Sequence, residues 1–447
     1  MTTAVRRSLV AVASASLIFT GSAFAAAAEP TPHGKEMYAA THWLAGQLAT
    51  AADVAAFDKA NPTKPGGLVE NTLPGKGGAT DWDVTIDALL AFQSTGTEAA
   101  AIGKIAAALP AGVKGFIGPD KDHVAAIAKE IIAAKSTGRK PEDFGGVDLP
   151  AALGALMVKG EEGSNVDGKY GKTSTNADQA LAIIGLAKVG SVPRRALAYL
   201  TSQQCPNGGY RLGGDVEDDK QPACAADGEA DAATSALVLQ ALHEAYQPDE
   251  LAKPVEYLGK ARDASSGGFK DAKDLNAVVT GLAGQALWVT GNVVLAEPAA
   301  DWVASMQVTK DAAKLSGDAG AIALNKTAFD DGVTNAQDGK IAANSRAEWR
   351  AWTARAVLAM TTTGLGHTAP ELVLPAEQTE TTTSSPTDTT TSTPTTTTTT
   401  TSTDTSTSGS PNLADTGFSA PTGLFAGLGL LVSGAALVLL TRRRLSR

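Results

Sequence analysis

Acidic side chains stand at or near the start of several apolar helical segments in this sequence. They are Asp81, Asp83, Asp178, Glu229, Asp231, Asp274 and Glu348. Two carboxylates that face each other across a cleft can hydrolyse a glycosidic bond, one as general acid and the other as base or nucleophile. Asp and Asn at such positions also cap a helix and complement its dipole. We expect capping for most of this set and keep glycoside hydrolysis open as the alternative.

Two tryptophans, Trp82 and Trp349, lie one residue inside two of these helix starts. Aromatic faces beside polar groups are typical of small-molecule binding sites. We therefore predict a ligand-binding site where the helices begin. Its candidate residues are Asp81, Trp82, Asp83, Asp178, Asp231, Asp274, Asn276 and Trp349.

Metal and cofactor sites are not predicted. The five histidines, His33, His42, His123, His243 and His367, are scattered without the spacing of metal ligands. The only cysteines, Cys205 and Cys224, favour a disulfide in an exported domain, which would stabilise it by about 3 kcal/mol in the chain-entropy model. A zinc site is the alternative for this pair, and it would need further ligands.

The N-terminus has the order of a secretory signal peptide, which we place at residues 1–28. Arg6 and Arg7 precede an apolar run from Leu9 to Phe19, and small residues follow around Ala25. The alternative, a short buried helix, does not account for this order of charge, apolar run and small residues.

The C-terminus carries an apolar segment at residues 421–440, followed by arginines that include Arg442 and Arg447. About twenty helical residues span roughly 30 Å, the thickness of one bilayer core. The basic tail places the preceding chain outside the cell. Residues 413–447 are therefore a membrane anchor or a signal that contains one.

The pentapeptide Leu413, Ala414, Asp415, Thr416 and Gly417 precedes this span. Pentapeptide, span and basic tail resemble a sortase sorting signal of the LPxTG type, in a variant with Ala at the usual Pro position. The resemblance implies a sortase partner that cleaves after Thr416 and joins the chain to a peptidoglycan or other cell-wall amine. A plain membrane anchor that is never cut remains the alternative.

Residues 375–412 are mostly Thr and Ser and have little apolar surface to bury, so we predict a disordered stalk. The 447 residues carry a net charge of −10, and no Lys/Arg cluster lies between the two termini. This charge pattern argues against a nucleic-acid partner. The predicted location is the extracellular face of a Gram-positive-type bacterium, bound to its cell wall or plasma membrane.

Residues 29–374 contain a repeated pattern of paired helices. Tyr199 to Gln203 repeats the pattern of Trp43 to Gln47, and Gly208-Gly209-Tyr210 matches Gly267-Gly268-Phe269. Amphipathic helices alternate with helices that are apolar nearly all round and must therefore be buried on every side. The apolar members are predicted at residues 83–93, 121–135, 176–189, 231–246, 275–290 and 347–361.

Six such pairs predict an all-α fold, an (α/α)6 toroid with the apolar helices inside. An open α-solenoid would satisfy the same pattern, because stacked neighbours also bury a core. We prefer the closed ring because it leaves no exposed end.

These motifs resemble the prenyltransferase/squalene-oxidase repeats of terpenoid cyclases and protein prenyltransferases, most clearly over residues 176–269. Cyclases of that family use three closely packed acids, whereas Glu229-Ala230-Asp231-Ala232-Ala233 keeps fewer. The zinc-binding context of the prenyltransferases is also missing. The resemblance therefore implies the toroid without either catalytic motif.

The sequence as a whole predicts a wall-anchored surface protein with a non-catalytic toroid that binds an unidentified surface ligand. The alternatives are a secreted (α/α)6 carbohydrate-active hydrolase or lyase acting on wall glycan, and a structural spacer.

Overall fold

The computed structural model describes residues 33–119, 123–160, 165–214, 223–272 and 274–374. The predicted signal peptide, stalk and sorting signal lie outside these ranges. The described chain is mainly α-helical. Two short antiparallel ribbons are also present, β1 (Tyr210–Arg211) with β2 (Ala230–Asp231) and β3 (Lys270–Asp271) with β4 (Asp274–Leu275).

In the described part of the chain, six inner helices surround the axis of the fold. They are α3 (Trp82–Thr95), α5 (Val124–Ser136), α7 (Asn176–Lys188), α9 (Ala232–Glu244), α11 (Ala277–Val289) and α14 (Arg346–Ala356), which continues as the 3₁₀ turn Val357–Met360. Most residues of α3, α5, α7, α9 and α11 are buried on all faces. Their lack of a polar face is what the sequence pattern predicts.

Six further helices of the described ranges precede or separate the inner ones and form the outer layer. They are α1 (Gly34–Ala45), α4 (Ala99–Phe116), α6 (Leu149–Ala155), α8 (Arg194–Ser202), α10 (Ala252–Ala261) and α12 (Val293–Ser305). Each buries one face only, as Ala196, Tyr199 and Leu200 of α8 illustrate. The alternation of amphipathic and buried helices is confirmed.

The inner helices form a closed ring. Each one packs against the next along the chain, and α14 packs against α3. The closure is reinforced on the outside by Asp318, which accepts hydrogen bonds from Trp43 Nε1 of α1 at 2.9 Å and from Arg346 of α14 at 2.9 Å. The toroid is therefore observed, and the open solenoid is excluded for the described residues.

Four inner helices share one hydrogen-bonding device, which lies in the first turn of α3, α9 and α11 and farther along α14, at Thr353. A Thr or Ser hydroxyl accepts the backbone N–H of a buried residue in the preceding turn, as Thr280 does from Phe269 at 2.9 Å and Ser235 from Tyr210 at 2.8 Å. The same hydroxyl donates to the carbonyl four residues earlier, which belongs to the N-cap residue of the helix, Asn276 or Asp231. Leu73 with Thr85 and Ile322 with Thr353 repeat the arrangement. We call this device the hydroxyl clamp.

The glycine pair before each clamped aromatic residue is required by close packing. Gly267 has φ +87°, and a Cβ there would lie 2.2 Å from the carbonyl oxygen of Pro298 in α12. A residue with a Cβ cannot be placed at this position, because the backbone of Pro298 is too close and the φ value favours glycine. The two-glycine turn therefore allows an outer helix to cross over the start of an inner one.

Cys205 and Cys224 form a disulfide, with Cα atoms 4.8 Å apart. This confirms the predicted pairing and excludes the zinc alternative for these two cysteines.

Residues 361–374 cross the end of the ring where the inner helices finish, and we call them the strap. Gln285 of α11 donates to Thr363 O at 2.8 Å, and the amides of Ala369 and Leu372 donate to Gln93 O and Gly96 O, each at 2.8 Å. The strap therefore runs across the ring to the end of α3 and closes this mouth.

Two helices, α2 (Ala51–Ala60) and α13 (Lys326–Thr334), were not expected from the repeat pattern. They bury no residue fully and lie in the connections between outer and inner helices. The outer helix α4 is long and apolar enough to span a membrane by composition. In the toroid its buried face, which includes Ile105, Leu109 and Val113, belongs to the hydrophobic core.

Candidate functional site

Most of the candidate polar residues cap the helices that they precede or begin. Asp81 accepts from Val84 N at 3.0 Å, Asp231 from Thr234 N at 2.7 Å, and Asn276 from Val278 N at 2.9 Å. Asp178 accepts from Thr175 N at 2.7 Å in a capping box. These side chains satisfy helix amides that have no partner within the helix. Their geometry is that of caps.

The carboxyl groups at this end of the ring differ in environment. Burial raises the pKa of Asp178 and of Asp81 above the usual value for an aspartate. Asp274 is exposed on β4, opposite Asp271, whose pKa is raised by burial and by the neighbouring charges of Asp231 and Asp274. The acids therefore lie at one end of the ring, each engaged in the start of its own helix or ribbon.

The two candidate tryptophans pack within the protein. The ring of Trp82 lies against Gly112 of α4, where an added Cβ would be 2.2 Å from the indole. Trp349 is 1% exposed and packs against Gly332 of α13 and against Trp352. Neither residue is placed as an open aromatic platform, and the predicted role of the eight candidate residues in binding stays a prediction.

Asp83 is the candidate residue that takes part in a charged cluster near the ring axis. Lys129 Nζ of α5 lies 2.7 Å from Asp83 and 2.5 Å from Asp87. Arg355 of α14 lies 2.6 Å from each of the same two aspartates. The four side chains, which we call the axial charge cluster, link three inner helices across the seam where the ring closes.

The charges of this cluster compensate one another. Burial alone would raise the pKa of Asp83, but the cations of Lys129 and Arg355 hold it below its usual value. Conversely, Asp83 and Asp87 raise the pKa of Lys129 despite its burial. Lys129 and Arg355 therefore remain protonated, and each of the two aspartates is ion-paired with both of these cations. Breaking one partner of such a buried pair typically costs about 3–5 kcal/mol of stability.

A cavity lies on the axis beside this cluster. It is lined by Asp87, Lys129 and Arg355 and by seven apolar side chains, which are Leu90, Leu181, Leu237, Val278, Leu282, Leu358 and Leu365. Every inner helix contributes to the lining, and Leu365 comes from the strap. Val278 belongs to the first turn of α11, whereas the strap covers the opposite end. The cavity thus begins near the starts of the inner helices and has the strap as its floor.

A second polar group lies at the strap. Glu244 at the end of α9 accepts from Lys188 of α7 at 2.9 Å, and His367 Nε2 lies 2.6 Å from the other oxygen of Glu244. Lys188 also contacts His367. These contacts fasten the strap to two inner helices. No group of three or more His, Cys, Asp or Glu in the described ranges is placed to hold a metal ion.

Sequence reasoning missed Asp87, Lys129 and Arg355. The available signal was a charged residue in the middle of a helix whose other residues are apolar. Such a charge must find a partner on a neighbouring inner helix, since an isolated buried charge costs many kcal/mol. The pattern indicates that partners exist, but it does not say which helix supplies them.

Comparison with known proteins gives similarity of structure only. No protein-family model matches the chain, and no curated protein matches it. A similar solved structure is an unsaturated glucuronyl hydrolase from Bacillus sp. GL1, with 11% identity, a TM-score of 0.46, and coverage of 75% of this chain and 99% of that one. Another is an inactive variant of an α-1,6-mannanase from Salegentibacter sp. HEL1_6 with bound α-1,6-mannotriose. It has 9% identity, a TM-score of 0.45, and coverage of 73% of this chain and 99% of that one.

Proposed function

We propose that this chain is an exported protein held at the surface of a Gram-positive-type bacterium, and that its toroid binds a ligand at the ring without catalysing a reaction. The observation that supports binding is the axial cavity, to which all six inner helices contribute. The observation that argues against catalysis is the engagement of the nearby acids. Asp83 and Asp87 are paired with cations, and Asp81, Asp178 and Asp231 bond the starts of their own helices.

The alternative is a hydrolase or lyase that acts on wall glycan. The two similar solved structures are those of glycan-degrading enzymes, and their similarity to this chain concerns the fold. In this chain a glycosidase mechanism would need a carboxylic acid and a carboxylate that are free to contact the substrate. Ion pairs with Lys129 and Arg355 leave Asp83 and Asp87 poorly suited to either role.

Substitution of Asp231 by Asn separates the two functions. Asn caps a helix about as well as Asp, so Asp231→Asn should change the free energy of unfolding by less than about 0.5 kcal/mol. It also removes the carboxylate, so a hydrolase that depends on Asp231 would lose at least about a hundredfold in rate.

The assay is release of reducing sugar from purified wall glycan, with thermal unfolding measured on the same samples. We expect no release from either protein. Glycan cleavage by the wild type that disappears in Asp231→Asn or Asp83→Asn, with folding intact, would establish the enzyme instead.

Anchoring is tested at Thr416. The sortase proposal expects the wild-type protein to leave the cell only after digestion of the wall. Thr416→Ala should instead stay in the membrane fraction and dissolve in detergent, because the apolar segment at residues 421–440 is retained. Wild-type protein that dissolves in detergent without wall digestion would show a plain membrane anchor.

A further inference from the structure

We propose that the ligand group held in the axial cavity is a small uncharged aliphatic group, presented from the end of the ring where the inner helices begin. This inference rests on the proposed binding function and adds the chemical class of the ligand. It is carried by the lining of the cavity, by its size, by the charge balance beside it and by its closed floor.

The lining of the cavity favours an apolar ligand group. Seven of the ten lining residues are Leu or Val, and none is aromatic. Sugar rings are usually held by aromatic faces and by many hydrogen-bonding side chains. This lining has no aromatic face, and its three polar side chains, Asp87, Lys129 and Arg355, are ion-paired with one another. Apolar walls of branched side chains suit alkyl groups, each buried CH₂ contributing about 0.8 kcal/mol.

The size of the cavity sets the length of the group. The free space is about 50 Å³, and one water molecule needs roughly 10–15 Å³ on this measure. The cavity therefore holds roughly three to five non-hydrogen atoms. A longer ligand would extend from the cavity into the mouth among the capped helix starts.

The charge balance disfavours an ionic ligand. Asp83 and Asp87 are matched by Lys129 and Arg355, so the axial charge cluster is neutral as it stands. Asp81 lies close enough to interact with the charges of Asp83, Asp87 and Arg355. A carboxylate or phosphate entering here would meet aspartates without gaining an unpaired cation. An ammonium group would lose its hydration among leucines, which costs several kcal/mol.

The floor fixes the direction of entry. The backbone amide of Leu365 donates a hydrogen bond to Gln240 Oε1 of α9 at 3.4 Å, which ties this part of the strap to an inner helix. The strap continues across the ring to Gly96. A ligand therefore enters from the opposite mouth, with its apolar end first and any polar atom left near Arg355 or Asp87.

The experiment uses the full protein isolated from the cell surface, by wall digestion or by detergent, and three probes of equal length. These are pentan-1-ol, pentanoate and pentylammonium, each followed by the methyl NMR signals of the leucines. We expect pentan-1-ol to shift the signals of Leu90, Leu237 and Leu358, and the two ions to bind at least about tenfold more weakly.

Two variants that fill the cavity test the location. Leu237→Trp should weaken pentan-1-ol binding by at least about tenfold, and Val278→Leu, a smaller change at the rim, tests the same point if the first variant fails to fold. Leu212→Trp is the matched control, because Leu212 is 38% exposed and lies outside the cavity. The control should bind as the wild type does.

The outcomes separate this inference from the proposed function. If pentanoate or pentylammonium binds as tightly as pentan-1-ol, and Leu237→Trp abolishes that binding, the proposed binding function stands. The proposed ligand class is then wrong. If no probe binds, or if the cavity variants leave pentan-1-ol binding unchanged, the inference is wrong. Neither result bears on anchoring, which Thr416→Ala tests separately.

Discussion

Glu130 is the residue whose burial is hardest to reconcile with its chemistry. It lies in α5 next to Lys129, is 0% exposed, and neither carboxyl oxygen has a hydrogen-bond partner among the described residues. Burial raises its pKa to about 8, from 4.5 in an exposed glutamate. The side chain is therefore protonated in the folded protein at neutral pH, whereas the unfolded chain would release that proton.

This difference makes stability depend on pH with a definite sign. Between about pH 4.5 and 8 the folded state binds the proton and the unfolded state does not, so stability falls as pH rises. The slope for one proton is about 1.4 kcal/mol per pH unit, and it vanishes below and above that window. Glu130→Gln should remove this component, because the amide does not titrate.

The measurement is urea unfolding of both proteins at several pH values across that window. Wild type should lose stability relative to Glu130→Gln as pH increases. Parallel curves for the two proteins would mean that Glu130 has a partner or an exposed state that lowers its pKa.

At the scale of single residues the sequence predicted the caps better than the cluster. Asp178, Asp231 and Asn276 are recognisable because a cap depends on residues within one turn of it. Asp87 and Lys129 are 42 positions apart in sequence, and Asp87 and Arg355 are 268 apart. Such pairs follow from how the ring closes, which local pattern does not encode.

Among the elements, the hydroxyl clamp explains why the start of an inner helix tolerates Thr or Ser in an otherwise apolar segment. Thr280 is fully buried and bonds both Phe269 N and Asn276 O. Replacing the hydroxyl by a methyl keeps the shape and leaves the Phe269 amide without its partner. An unsatisfied buried donor costs about 1–3 kcal/mol.

Thr280→Val should therefore lower the free energy of unfolding by about 1–3 kcal/mol. The matched control is Thr334→Val in α13, whose hydroxyl donates only to Asp330 O on an exposed helix. Chemical denaturation of both variants compares the two sites. Equal small losses would show that water or another group replaces the Thr280 bond.

The elements themselves could be read from the sequence because two independent patterns agree. The apolar helices have no polar face, and the glycine pairs mark where an outer helix crosses, as at Gly267. Helices α2 and α13 were not predicted, because neither buries a full apolar face. The resemblance to prenyltransferase/squalene-oxidase repeats remains a prediction, since no family model matches the chain.

For the whole molecule, the strap decides which mouth of the toroid is open. Its last contacts depend on Gly96, which has φ +67° and lies so close to Pro370 that an added Cβ would be 1.9 Å from the Pro370 oxygen. Gly96→Ala should therefore displace the strap from α3. Hydrogen exchange at the amides of Ala369 and Leu372 should become faster.

Gly190→Ala is the control for this experiment. Gly190 has φ +73° after α7, so alanine meets similar backbone strain there, but nothing lies within 4 Å of the added Cβ. In Gly190→Ala, the amides of Ala369 and Leu372 should exchange at the wild-type rate. Faster strap exchange in both variants would mean that strain at a helix end, and not the clash with Pro370, releases the strap.

The path of the strap also has a mechanical consequence. Tension on the chain beyond residue 374 acts first on the bond from Leu372 N to Gly96 O, then on the bond from Ala369 N to Gln93 O. These contacts follow one another along the chain, so a pull that peels the strap from its C-terminal side breaks them one at a time. Further peeling would draw Leu365 away from the cavity floor. Under the anchoring proposed above, drag on the cell surface would be transmitted through the strap to the cavity, and pulling force would weaken the binding of a ligand held there.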